Sequence, residues 1–333
     1  MAEFAVPHPR EVHELQGQES AEEAFEAARA RGRLHHAWLL TGPEGVGKAT
    51  FAYRAARRLL GAPPYPAHGV LGADPEHPVC RQVAARSHPD LLVLEREGPD
   101  GKARKVIPVD DARRLAEFFS KSPASAPHRV AIVDAADDLN VNAANAILKT
   151  LEEPPPRGVL LMVSHSPGRL LPTIRSRCRR LAFQPLGIEA TAAFVRARAD
   201  LNAEEALRLA HMAEGAPGQA LSLAAANALA MDDVARDLLS DLPRIDETRA
   251  LSITDKFRGG EGPAQFALLF DRLADRVHTL AADRAHQGIG RLDRWAQAWE
   301  TLQRLPREVE ALNLDRTDAL FTALRELRQA AQA

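Results

Sequence analysis

The sequence predicts an α/β domain built on a mostly parallel sheet, followed by an all-α remainder. Three observations carry that expectation: apolar runs of strand length alternate with helical segments as far as Pro185, a glycine-rich turn separates the first run from its helix, and strand signals cease beyond Pro185. In chain order, residues 20–32 open with Ser20 as a cap and two glutamates, then close on Arg31 and Gly32, the order expected of a helix. His36–Thr41 is a short apolar run that reads as a strand, and Ala49–Leu60 places apolar residues at helical spacing. Prolines and glycines crowd residues 61–78, an irregular excursion before helical character resumes at Cys80–Arg86. Asp90–Glu95 reads as a strand, Ile107–Val109 as extended chain, and Asp110–Ser120 as a helix begun by paired aspartates. Arg129–Asp134 is the next strand, Val141–Leu151 a helix stopped by Pro154, Pro155 and Pro156, and Gly158–Ser164 a buried strand. The rest is rich in Ala, Leu and Arg at helical periodicity, with turns at 214–218, 241–243 and 259–263.

A length of 333 residues allows about two to three domains, each with chain enough for a core. Hydrophobic residues at 45% and charged residues at 26% exclude disorder and fibrous structure. A formal charge of -2 excludes a surface given over wholly to nucleic acid, so any DNA contact is local, through clusters such as Lys102–Lys105 or Arg175–Arg180. Cys80 and Cys178 lie far apart, no basic-then-apolar leader opens the chain, and no apolar run approaches the roughly 20 residues of a membrane-spanning helix. The expected compartment is the cytoplasm, without membrane contact.

Gly42-Pro43-Glu44-Gly45-Val46-Gly47-Lys48 fits the first seven positions of the Walker A pattern, between a predicted strand and a predicted helix as that motif requires. Glycines there let backbone N–H groups close around phosphate oxygens, the helix N-terminus faces them, and Lys48 adds a point charge. The eighth position calls for a hydroxyl that holds Mg²⁺, and Ala49 has none. Thr50 follows, but one residue along a helix is a rotation of about 100°. A second loss lies at the end of Arg129–Asp134, where a hydrolytic enzyme places an acidic pair: Asp134 is present and Ala135 is not an acid. Asp137 and Asp138 follow and read equally well as loop or capping acids. The candidate nucleotide site is therefore Gly42, Gly45, Gly47, Lys48, Thr50 and Asp134, degenerate for hydrolysis.

Two longer stretches carry a family resemblance. Residues 142–155, Asn-Ala-Ala-Asn-Ala-Ile-Leu-Lys-Thr-Leu-Glu-Glu-Pro-Pro, and residues 164–178, Ser-His-Ser-Pro-Gly-Arg-Leu-Leu-Pro-Thr-Ile-Arg-Ser-Arg-Cys, resemble the subunits of bacterial DNA polymerase clamp loaders, of the gamma and delta-prime types. The likeness spans nearly the first 230 residues and is thinner beyond, where Asn313-Leu-Asp-Arg316 is similar to a recurring C-terminal stretch. It implies a RecA-like P-loop AAA+ domain at 1–185, a helical lid at 186–238 and a helical collar at 239–333 that joins a five-subunit arc. Partners implied are gamma/tau and delta subunits, with the sliding clamp and primer–template DNA reached through the complex. The Ser-Arg-Cys motif implies that Arg177 projects into the ATP site of the adjacent subunit, although composition alone reads Arg175, Arg177, Arg179 and Arg180 as a solvated basic stretch. Gln219 stands where motor subunits of the family carry a sensor arginine, and Ser164 matches a polar sensor.

Relatives of the delta-prime type often carry four zinc-binding cysteines after the first P-loop helix; here Cys80 is the one that remains. His77 and Asp74 precede it at three-residue steps, His68 is nearby, and His88 and Asp90 match the family in spacing. With three cysteines replaced, a metal-free loop is the expectation and Asp74, His77 and Cys80 are the residual zinc candidates. ATP or ADP at the degenerate loop is left open, and neither Mg²⁺ nor zinc is expected. The alternative is an active ATPase that uses Thr50, Asp134 and an acid such as Asp137; a free-standing P-loop sensor is a third.

Overall fold

The computed structural model describes residues 5–97, 104–242, 247–287 and 292–332. Lys102 of the basic cluster and Pro243 of the 241–243 turn lie outside the described residues. The chain divides into two compact units, Met1–Ser222 and Leu223–Ala333.

The first unit alternates α1 (Glu19–Ala30), β1 (Ala37–Thr41), α2 (Lys48–Leu59), α3 (Pro78–Ala84), β2 (Leu91–Glu95), α4 (Val109–Phe119), β3 (Arg129–Asp134), α5 (Val141–Glu152), β4 (Gly158–Ser164), α6 (Pro172–Arg175) and β5 (Arg179–Ala182). The strands form one parallel sheet in the order β2-β3-β4-β1-β5. Every residue of β1 and β4 is buried, as a sheet covered on both faces requires. On one face Trp38, Leu40, Ile132, Leu161 and Val163 join Phe25 and Phe51. On the other, Leu39, Ala131, Val133, Leu160 and Met162 join Leu115 and Ile147. Each large side chain so covered contributes about 1.5–3 kcal/mol, which makes this alternation the main force holding the strands in register. That register aligns Thr41 with Ser164 and Ala182, and Glu95 with Asp134, so the carboxyl ends of the strands meet along one edge of the sheet. In parallel α/β sheets ligands bind beyond that edge.

The structure departs from the sequence reading at three places. Helix α1 is capped by Gln18, not Ser20, which lies inside the helix. The Gln18 amide donates instead to Gln184 O at 2.7 Å and Val46 O at 3.3 Å, tying the glycine-rich turn to the chain after β5. Strand β5 was not expected: of Arg179-Arg180-Leu181-Ala182 it buries Leu181 alone, and its arginines guard an open sheet edge. Residue Asp90, read as the start of a strand, precedes β2 as a fully buried anchor that accepts N–H groups of Ala124, Ser125 and Ala126 at 2.8–3.0 Å. Burial alone pushes its carboxyl up, but those three donors and Arg129 outweigh it and hold it below the usual carboxylate range.

Helices α7 (Ile188–Arg196) and α8 (Ala203–Met212) complete the first unit, and α9 (Pro217–Ala225) begins within it. Asn202 caps α8 through a reciprocal capping box with Glu205.

The second unit is wholly helical among the described residues: α10 (Ala228–Ser240), α11 (Glu247–Thr254), α12 (Gly262–Gln287), α13 (Leu292–Leu312) and α14 (Arg316–Ala331). Its core gathers Leu238, Phe266, Leu269, Phe270, Leu273, Trp295, Leu302, Leu320 and Leu327. A bidentate pair, Arg276 to Asp232 at 2.7 Å through both nitrogens, joins α12 to α10. None of the described helices is long and apolar enough to cross a membrane.

Candidate functional site

The glycine-rich turn lies between β1 and α2, as read from the sequence. Gly42, Gly45 and Gly47 all have positive φ, and Gly47 caps α2 in the left-handed region. Two of them also answer to close neighbours: a Cβ on Gly47 would collide with the Leu15 side chain, and one on Gly45 with the backbone nitrogen of Gln219. The Gly218 N–H donates to Gly45 O at 2.8 Å, so the start of α9 sits directly on the loop.

Lys48 is the first residue of α2 and is 3% exposed. Its ammonium donates to Gly42 O at 2.7 Å and to Pro43 O. Burial lowers its pKa to about 8, against the opposing pull of Asp134, Glu44 and Asp137. Asp134 ends β3, and burial raises its carboxyl to about 6, helped by Glu95 across the strand pair and resisted by Lys48. The structure thus brings Lys48 and Asp134 into one electrostatic neighbourhood with the glycines. Ala49 occupies the hydroxyl position and Thr50 follows it along α2, half-buried.

Asp137, which the sequence reads as base or loop acid alike, is tied to the end of β4. Its two oxygens accept Ser164 Oγ at 3.1 Å, His165 N–H at 2.7 Å and Ser166 N–H at 3.0 Å. The carboxylate fastens the end of β4 to the turn after β3, leaving it poorly disposed to take a proton from water. Asp138 pairs with Arg96 at 3.2 Å. Ser164, read as a sensor, therefore points its hydroxyl into Asp137. The sequence offered no signal for this contact, since strand order alone brings the two segments together.

Arg177 follows α6 and is partly exposed. Its guanidinium donates to Thr173 O at 3.0 Å and meets Glu152 at 2.9 Å. Its neighbours differ: Arg179 lies over the Trp38 ring and Arg180 donates to Thr41 Oγ1 at 2.9 Å. Burial pushes the Cys178 thiol up to about 12 and so keeps it neutral.

The residual zinc candidates lie in and just before α3. His77 caps α3 by accepting the Val79 N–H, Asp74 accepts the Glu76 N–H, and Cys80 is buried, its thiol raised by burial. Among the described residues no group of three His, Cys, Asp or Glu side chains is placed to hold a metal ion. His88 accepts the Asp90 N–H at 3.1 Å.

The sequence model of the family "DNA polymerase III, delta subunit" matches residues 17–187, half of the chain and the whole of the sheet. The DNA polymerase III subunit delta' of Pseudomonas aeruginosa is 42% identical over 188 residues, 56% of this chain and 55% of that protein. The subunit delta' of Bacillus subtilis is 35% identical over 158 residues, 47% of this chain and 44% of that protein. The chain thus spans about half the length of the curated relatives it matches. A crystal structure of a DNA polymerase III gamma subunit-related protein from Thermotoga maritima superposes with a TM-score of 0.50 at 20% identity, covering 94% of this chain and 99% of that one, a likeness of fold. With the matched segment holding the P-loop, Asp134 and the Ser-Arg-Cys turn together, the chain belongs to the DNA polymerase III delta subunit family.

Proposed function

We propose that the chain is a delta-prime-type subunit of a bacterial clamp loader, which lends Arg177 to the ATP site of an adjacent subunit and does not hydrolyse ATP itself. The observation that carries this reading is the donor set at the carboxyl edge of the sheet: Ala49 and Ala135 offer no oxygen where Mg²⁺ and the attacking water need one, and Asp137 is occupied by three donors. The glycine cradle and the N-terminus of α2 fit a nucleotide's phosphates, so Gly42, Gly45 and Gly47 would hold ATP or ADP, with Lys48 joining them once its ammonium leaves the Gly42 and Pro43 carbonyls. The same donor set does not fit a Mg²⁺-supported hydrolytic centre.

Chemistry then falls to the neighbour's site. As a γ-phosphoryl group leaves, negative charge grows on its oxygens, and a guanidinium brought to them lowers the barrier by about 10³ to 10⁵ in rate. Arg177, on a partly exposed turn, is free of the apolar core that confines Cys178. In this reading 186–238 acts as a lid and 239–333 as a collar, gamma/tau and delta are the bound subunits, and the sliding clamp and primer–template DNA are engaged through the assembly in the cytoplasm.

Two rates test it. The purified chain with ATP and Mg²⁺ gives no steady turnover, and Arg177→Ala leaves the complex assembled while its adjacent site loses about 10³-fold in hydrolysis. Steady turnover by the isolated chain supports an active ATPase instead, and unchanged hydrolysis and clamp loading in the variant removes Arg177 from the role.

A further inference from the structure

Resting on the trans role of Arg177, we propose that Glu152 is the residue that positions its guanidinium. The backbone at Arg177 is already fixed: its N–H donates to Ile174 O at 3.1 Å, Ile174 is fully buried, and Cys178 packs against the same core. The side chain is not. Four rotatable bonds separate Cα from the guanidinium, and a long cation at a surface loses much of its effect unless its rotamers are restricted before the substrate arrives.

Two contacts supply that restriction. Thr173 O accepts from one terminal nitrogen at 3.0 Å, and Glu152 meets the other at 2.9 Å. Thr173 belongs to the same short turn and moves with Arg177, whereas Glu152 comes from a different element. It is the last residue of α5, a helix anchored by Ile147 and Leu151 in the core and stopped by the prolines at 154–156. Glu152 therefore refers the guanidinium to the body of the sheet. The pairing is also selective. Among the described residues, Arg177 is the one member of Arg175, Arg177, Arg179 and Arg180 that meets a carboxylate.

Exposure sets the size of the effect. The two side chains are 36% and 52% exposed, and ion pairs of that kind bias an equilibrium by up to about five-fold. The contact takes one terminal nitrogen, so it persists while the remaining N–H groups of the guanidinium meet a triphosphate, and a restraint kept in the transition state raises kcat.

The test is a double-mutant cycle on the full chain assembled with gamma/tau and delta, reading kcat and KM for ATP separately. Glu152→Gln, which keeps shape and removes charge, lowers kcat about three-fold with KM unchanged, and has no effect when Arg177 is already alanine. If Arg177→Ala slows hydrolysis but Glu152→Gln leaves it unchanged or faster, this inference fails and the trans role stands. A loss from Glu152→Gln that persists without Arg177 also overturns it, because Glu152 then acts through the fold. If Arg177→Ala itself has no effect, the trans role falls and the positioning role with it.

Discussion

The Asp137 carboxylate accepts the Ser164 hydroxyl at 3.1 Å, joining the turn after β3 to the end of β4 at the site's edge. Ser164, which the resemblance offers as a polar sensor, and Asp137, which an active ATPase would need as its base, are each other's partners. Whatever either does for a nucleotide, it does from within this contact.

Removal of the carboxylate is therefore a structural lesion before it is a chemical one. Asp137→Ala strands the buried Ser164 hydroxyl and the more open N–H groups of His165 and Ser166, and is expected to cost about 2 kcal/mol in urea unfolding. Full stability in the variant would show that these hydrogen bonds are replaced by solvent.

Asp134 gives a pH dependence with a definite sign. Its folded pKa of about 6 lies above the unfolded value near 3.9, so the folded chain binds more protons between the two, and stability falls as pH rises through that window. Asp134→Asn removes this slope and stabilises the chain at pH 7 by up to about 3 kcal/mol, because the charge it deletes is disfavoured by burial and by Glu95 more than Lys48 favours it. Parallel melts of both proteins from pH 4 to pH 7 read the difference; parallel curves would mean Asp134 titrates normally.

Gly45 links the phosphate loop to the start of α9. A methyl group there meets the Gln219 backbone at a φ of +77°, so Gly45→Ala is expected to cost about 1–3 kcal/mol and to expose the 217–219 turn to protease. A melting temperature equal to the parent's would mean that α9 moves off the loop without cost.

Lys48 is buried against carbonyls of its own loop, with its pKa lowered mainly by burial. In a subunit that acts through Arg177, Lys48→Ala changes clamp loading by less than about two-fold in the reconstituted complex. Complete loss of loading would show that this loop's own nucleotide is in use.

Much of the first unit was legible because its physics is local. Apolar runs such as Val159–Val163 have one way to be buried, and Gly45 and Gly47 announce a turn whose φ values other residues avoid. Strand β5 was missed since Leu181 is its single buried residue, too little for a period. Gln18 was missed as a cap because its side chain serves Val46 and Gln184, contacts set by tertiary packing. At the site, Lys48 and Asp134 could be named from motif and strand end. The engagement of Asp137 and the pairing of Glu152 with Arg177 depend on which strands and helices become neighbours, and nothing in their spacing announces it.

The most direct measurement is the position of Arg177 in a structure of the assembled complex bound to a non-hydrolysable ATP analogue. The account predicts a terminal guanidinium nitrogen within hydrogen-bonding distance, about 3 Å, of a γ-phosphate oxygen held by the adjacent subunit. A guanidinium still seated on Glu152 and turned away from every subunit boundary would contradict it.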